Sequence, residues 1–110
     1  MDQPLRVLDV ARAVVDEVNE LLDQRRLFYH DQIREAAGSI TSNIREAFGR
    51  QPGRSRHQFL FYARGSAEET DERLRANHRR NNIPMTTYWR LHHRLTVIVK
   101  MLNALMKDPD

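Results

Sequence analysis

The 110 residues are 40% apolar and 30% charged with a formal net charge of +3, which fits one soluble domain with a modest core and excludes a disordered chain. Without cysteine, neither a disulfide framework nor a thiolate metal site is available. The opening "MDQPLRVLDVARAVVDEV" is charged throughout and no stretch approaches the roughly 20 apolar residues of a membrane span, so the cytoplasm is the expected compartment.

Four segments repeat apolar residues at helical spacing. The first runs from about Pro4 to Arg25, with Leu8, Ala11, Val15, Val18 and Leu22 as its main stripe. Val7, Val14 and Leu21 form a second stripe beside it, and burial between subunits is the expectation for that stripe. Asp9, Asp16, Glu20 and Asp23 lie opposite the apolar face. The second segment runs from about His30 to Arg50 and carries Ile33, Ala36, Ala37, Ile40, Ile44, Ala47 and Phe48 at the three-and-four step. Its middle, "AAGSITSNIREAFGR", is nevertheless rich in weak helix formers. Ser39, Asn43, Glu46 and Arg50 fall at i, i+4, i+7 and i+11, which makes one polar strip flanking the apolar one. A strip of this kind fits a subunit interface along helices 1 to 3, or hydrogen bonds inside the bundle.

The third segment follows "QPG" and runs from about Ser55 to Arg80, with Phe59, Ala63, Ser66, Thr70 and Leu74 expected inward. Phe61 points away from that stripe, and Gly65 sits mid-helix at a cost of roughly 1 kcal/mol relative to alanine. Small residues let helices approach closely and an outward aromatic suits a partner surface, so both are candidate interface positions. The fourth segment starts near Pro84, a favourable first-turn residue, and runs to about Lys107. There Tyr88, Leu91, Leu95, Ile98, Leu102 and Leu105 keep a coiled-coil-like seam. The joints "RRLFY", "RQPGR" and "RRNNIP" are short, and no segment alternates with period two. The expected fold is a single all-α domain over residues 1–110, an antiparallel up-down-up-down four-helix bundle.

The stretch "SITSNIREAFGR" resembles the S-I-P-x-N-I-A-E-G-x-G-R run of the bacterial 23S rRNA intervening-sequence proteins, also called four helix bundle proteins. "ARGSAEE" resembles that family's A-x-G-S-x-x-E stretch, "LRVLDVA" its L-x-V-x-x-x-A opening, and "MLNAL" its closing helix. The sequence departs from the pattern at Thr41, Arg45 and Ala47, where proline, alanine and glycine are usual. The resemblance implies a four-helix bundle that assembles as a ring, usually a pentamer. It also implies a likeness in fold to the accessory protein of diversity-generating retroelements, a ring that engages a reverse transcriptase and nucleic acid. Carried over position by position, it marks Ser39, Asn43, Glu46, Gly49 and Arg50 as structural or interfacial.

Charge divides the chain unevenly. Residues 1–72 hold ten Arg or Lys against thirteen Asp or Glu, whereas residues 73–107 hold eight Arg or Lys and no acid. Asp108 and Asp110 follow. In an up-down bundle the first and third joints share an end, which brings Arg25, Arg26, His30 and Arg34 toward Arg75, His78, Arg79, Arg80, Arg90 and Arg94. On the fourth helix Arg90, His93, Lys100 and Lys107 share a face with Val97 and Ala104. Such a surface is the electrostatic footprint of phosphate-backbone binding, and Tyr88 or Trp89 beside it could stack on bases or belong to the core. Arg90 and Arg94 lie near a helix start, where the dipole disfavours cations, which points to an external anion. The alternative is that the basic fourth helix is salt-bridged to the acidic first helix, within the bundle or between subunits.

No catalytic set converges. His92 and His93 are adjacent on a helix and diverge by about 100 degrees, and "EETDERL" lacks the Glu-x-x-His step of carboxylate bundles. No Gly-rich phosphate loop is present, so no metal, cofactor or enzymatic activity is expected. The expected function is a non-enzymatic homo-oligomer, a pentamer on the resemblance, that binds RNA or DNA through its basic surface. The alternative is a scaffold ring that recruits a protein such as a polymerase without touching nucleic acid.

Overall fold

Each periodic segment is a helix. The computed structural model describes residues 3–107, and their side chains from Arg6 onward. Over that range it consists of α1 (Gln3–Gln24), α2 (His30–Phe48), α3 (Arg54–Arg79) and α4 (Met85–Lys107). Asp108 and Asp110, which entered the charge balance, lie outside the described residues. Each helix packs on its neighbours in sequence, α4 returns against α1, and the diagonal pairs make no close contact, so the bundle is an antiparallel square. The molecule measures 44 × 22 × 18 Å. Its long dimension suits helices laid lengthwise, since the 26 residues of α3 rise about 39 Å.

The core corrects one expectation about α1. Val7, Val14 and Val18 are fully buried, and Leu21 nearly so, inside the single protomer. A helix caught between two others needs an apolar face wide enough for both, so the second stripe is explained by α2 and α4 together. It does not cover a subunit seam. In α3 the buried line is Leu60, Ala63, Ala67, Thr70, Leu74 and Asn77, while Phe59 and Ser66, expected inward, flank it half-buried. The Thr70 hydroxyl donates to the Ser66 carbonyl at 2.7 Å, which satisfies a polar group that has no access to water.

The polar middle of α2 is satisfied largely by its own helix. Thr41 and Ser42 donate to the Gly38 carbonyl at 3.1 and 2.9 Å, and the Asn43 amide donates to the Ser39 carbonyl at 2.9 Å. Back-bonding of this type offsets the desolvation of Thr41, which is buried, at a small loss of helix regularity. Glu46 pairs with Arg50 at 3.2 Å, an exposed i,i+4 bridge of little energetic weight.

Two glycines respond to alanine in opposite directions. Gly65 is exposed, and a Cβ added there meets no atom within 4 Å, so Gly65→Ala should stabilise the protomer by about 0.5–1 kcal/mol. Gly53, at the N-cap of α3, has φ 126° and ψ −152°, a region closed to L side chains. Gly53→Ala should therefore destabilise by about 1–3 kcal/mol, and urea melts of both variants check the pair. Equal shifts in one direction would show that the backbone at Gly53 relaxes.

Candidate nucleic-acid interface

The first and third joints meet at one end of the bundle, where the buried side chain of Asn77 bonds to both. The Asn77 Oδ1 accepts from the Phe28 backbone N–H at 2.8 Å and from the Asn82 amide at 3.1 Å. Its Nδ2 donates to the Phe28 carbonyl at 2.8 Å and to the Arg73 carbonyl at 2.9 Å. The backbone closes the same corner. Asn82 N–H bonds the Asn77 carbonyl at 2.9 Å and Asn81 N–H the His78 carbonyl at 3.0 Å, with Asn81 at φ 61°. That is the Schellman arrangement, with asparagine in the left-handed position that glycine usually fills. Tyr29 has φ 61° as well, a strained conformation for an aromatic residue and the start of α2.

The cations gathered at this end differ in what they face. Arg90 and Arg94 both bind Glu17 of α1, Arg94 at 3.0 Å, and these are the ion pairs that close the α1–α4 seam. The inference that their placement calls for an external anion is therefore corrected: a carboxylate on the neighbouring helix accounts for it. Arg34 pairs with Asp23 at 3.0 Å. Arg75 is taken up by the Tyr88 hydroxyl at 3.0 Å and lies 3.9 Å from Asp71. Among the described residues, Arg25, Arg26, Arg79 and Arg80 at this end have no carboxylate partner, and neither do His93 and Lys100 farther along α4. Arg25 donates to the Asn82 carbonyl at 2.8 Å, and Arg80 lies 3.9 Å above the ring of Phe28. Neither contact neutralises its charge. A cavity of about 310 Å³ opens among Arg25, His78, Asn81, Ile83, Pro84 and Met85.

Between α3 and α4 a polar network sits beside this end. Asp71 accepts from His92 Nδ1 at 3.0 Å and from the Tyr88 hydroxyl at 3.2 Å. Burial pushes the Tyr88 hydroxyl above the ordinary phenol range, so it remains a donor. His78 stacks on Tyr88 with ring centroids 4.9 Å apart and nearly parallel planes, and its buried Nδ1 has no partner. Tyr88 is thus core and unavailable to a base. Trp89 is 50% exposed. No group of three or more metal-ligating side chains occurs among the described residues.

The positions marked by motif or outward placement lie apart from the basic end. Ser39 and Asn43 are half-buried, and Glu46, Gly49 and Arg50 are exposed at the end of α2. Gly49 N–H caps α2 by bonding the Arg45 carbonyl at 3.0 Å, and the Arg50 guanidinium lies 4.6 Å from the centroid of Phe59. Arg56, which sequence reasoning missed, completes this cap by donating to the carbonyls of Ala47 at 3.2 Å and Arg50 at 2.8 Å. Phe61 is 51% exposed beside an exposed Tyr62, with the Arg64 guanidinium 5.0 Å from its ring centroid.

A model of the 23S rRNA-intervening sequence protein family matches residues 3–104. Among solved structures, the chain resembles a protein of unknown function from the S23 ribosomal protein family of Bacteroides thetaiotaomicron. The TM-score is 0.90 at 25% identity, over 96% of this chain and 99% of that one. No curated protein matches.

Proposed function

The chain belongs to the 23S rRNA-intervening sequence protein family, and from that premise we propose that it acts as a non-enzymatic oligomeric bundle that binds RNA or DNA through its basic surface. The observation that carries this is the placement of Arg25, Arg26, Arg79 and Arg80, without carboxylate partners among the described residues, where the two joints meet. Guanidinium groups suit phosphate because their planar forks donate two parallel hydrogen bonds. Affinity for RNA or DNA should therefore fall steeply as salt rises, since counterion release drives backbone binding. Absence of any salt-sensitive affinity near about 100 mM salt ends this reading.

Assembly rests on the exposed Phe61 and Tyr62, two large aromatics side by side on α3. Light scattering should give a mass several times 13.0 kDa, with five copies expected from the family resemblance. A monomer at micromolar concentration removes the ring. The rival, a scaffold ring that recruits a protein without touching nucleic acid, is favoured by one observation. Arg90 and Arg94 are already met by Glu17, which shrinks the free positive surface. A predominantly apolar protein dock would respond little to salt, so the same titration separates the two readings.

A further inference from the structure

The geometry points to unpaired nucleotides, and not duplex, as what the basic surface takes, with Trp89 as a stacking platform for a base. This deepens the nucleic-acid reading proposed above and rests on it. Trp89 is the one tryptophan of the chain and stands at the second turn of α4 with half its surface open. Its ring neighbours His78, Tyr88 and His92 meet it at interplanar angles of 70°, 63° and 88°, so none stacks parallel on it. Those contacts pack one side of the indole against the protein and leave half of its surface open to solvent.

Its position relative to the cations is what selects the ligand. His93 follows Trp89 by one turn and Lys100 by three, all on one side of α4, over about 16 Å of helix rise. Both side chains are exposed and have no carboxylate partner among the described residues. An exposed indole in line with the His93 imidazole and the Lys100 ammonium offers a π-face and phosphate contacts to the same strand, the combination that binds single strands. A duplex hides its base faces within the stack and would use only the cations. Nor is a base read by its edge here, because a π-face accepts every base, so the surface is expected to be tolerant of sequence.

The test uses the full chain and labelled 12-nucleotide oligo(U), oligo(dT) and a 12-base-pair duplex at low salt, followed by anisotropy and by the intrinsic fluorescence of Trp89. Both single strands should bind alike, quench the indole, and bind more tightly than the duplex. Trp89→Leu should weaken single-strand binding about tenfold or more and leave duplex binding and the salt slope unchanged, while Trp89→Phe keeps most of the affinity. Far-UV circular dichroism verifies that the variants fold, as an exposed position allows. Duplex binding equal to single-strand binding, an unmoved indole, or a Trp89→Leu variant of wild-type affinity each overturns this inference while the basic-surface reading stands. A requirement for the 2′-hydroxyl overturns it too, because stacking and phosphate contacts use nothing at that position. No binding of any of the three probes removes the nucleic-acid reading itself.

Discussion

Asn77→Ala should lower stability by about 2–3 kcal/mol, which for a chain of this size is a fall of roughly 10 °C in melting temperature. The side chain is fully buried and all its hydrogen-bonding capacity on Oδ1 and Nδ2 is directed at three separate segments: the first joint, the preceding turn of α3 at Arg73 and the third joint. Removing it leaves the N–H and carbonyl of Phe28 without their partners, and orphaned backbone groups of this kind cost about 1–3 kcal/mol each. Leucine fills the volume but strands the same groups, so Asn77→Leu should fare no better. Thermal melts by circular dichroism read the effect. A change below about 0.5 kcal/mol would mean that water replaces the amide and that the joints are not clasped through it. Because Phe28, Arg80 and the two joints shape the basic end, the same variant should also weaken nucleic-acid binding, as a consequence of lost order and without loss of charge.

The helices were legible in the sequence because their signal is periodic and local. All four lie within a few residues of the expected limits, and the α4 seam is buried residue by residue from Tyr88 to Leu102. Short joints then left one arrangement for sequential neighbours, and the antiparallel square follows from them. What the pattern could not settle was which apolar stripe meets which neighbour. Val7, Val14 and Leu21 read as surplus when α1 is considered alone, and become core once α2 and α4 flank it. Leu60 and Ala67 were missed on α3 because a helix short of apolar residues gives a weak phase, and polar Thr70 and Asn77 occupy its inner line.

The candidate site was legible at lower resolution. Topology alone placed the cations of two joints at one end, since connectivity fixes which ends coincide. It could not pair them, because pairing depends on side-chain rotation across helices distant in sequence. Glu17 lies 73 residues before Arg90 and 77 before Arg94. Nothing local to either segment marks the pair. Asn77 was invisible for the same reason: in "RANHRRNN" it is one polar residue among many, and only its burial reveals its role. The Asn81 turn, by contrast, could have been found from asparagine followed shortly by Pro84 after a helix end.

The largest functional effect is expected from Arg25, Arg26, Arg79 and Arg80 changed together to glutamine. If each meets one phosphate of a single strand, losing four contacts flattens the dependence of log affinity on log salt by about 3. The same slope, carried from about 1 M salt, where the ionic contribution vanishes, down to about 0.1 M, corresponds to a loss of several hundred-fold in affinity. Folding should change little, because the four residues are exposed and, among the described residues, only Arg25 and Arg80 make side-chain contacts of note, with the Asn82 carbonyl and the Phe28 ring. Glu17→Gln supplies the opposite arm. It removes the carboxylate that Arg90 and Arg94 share, so the α1–α4 seam should weaken by about 1 kcal/mol while two cations are released toward solvent. Nucleic-acid affinity should then rise, with a steeper salt slope, even as the melting temperature falls. Effects of opposite sign on stability and binding have no source in general unfolding. If Glu17→Gln leaves affinity unchanged, Arg90 and Arg94 do not reach the ligand. If the fourfold arginine change also leaves it unchanged, the basic surface is solvated charge and the scaffold reading takes its place.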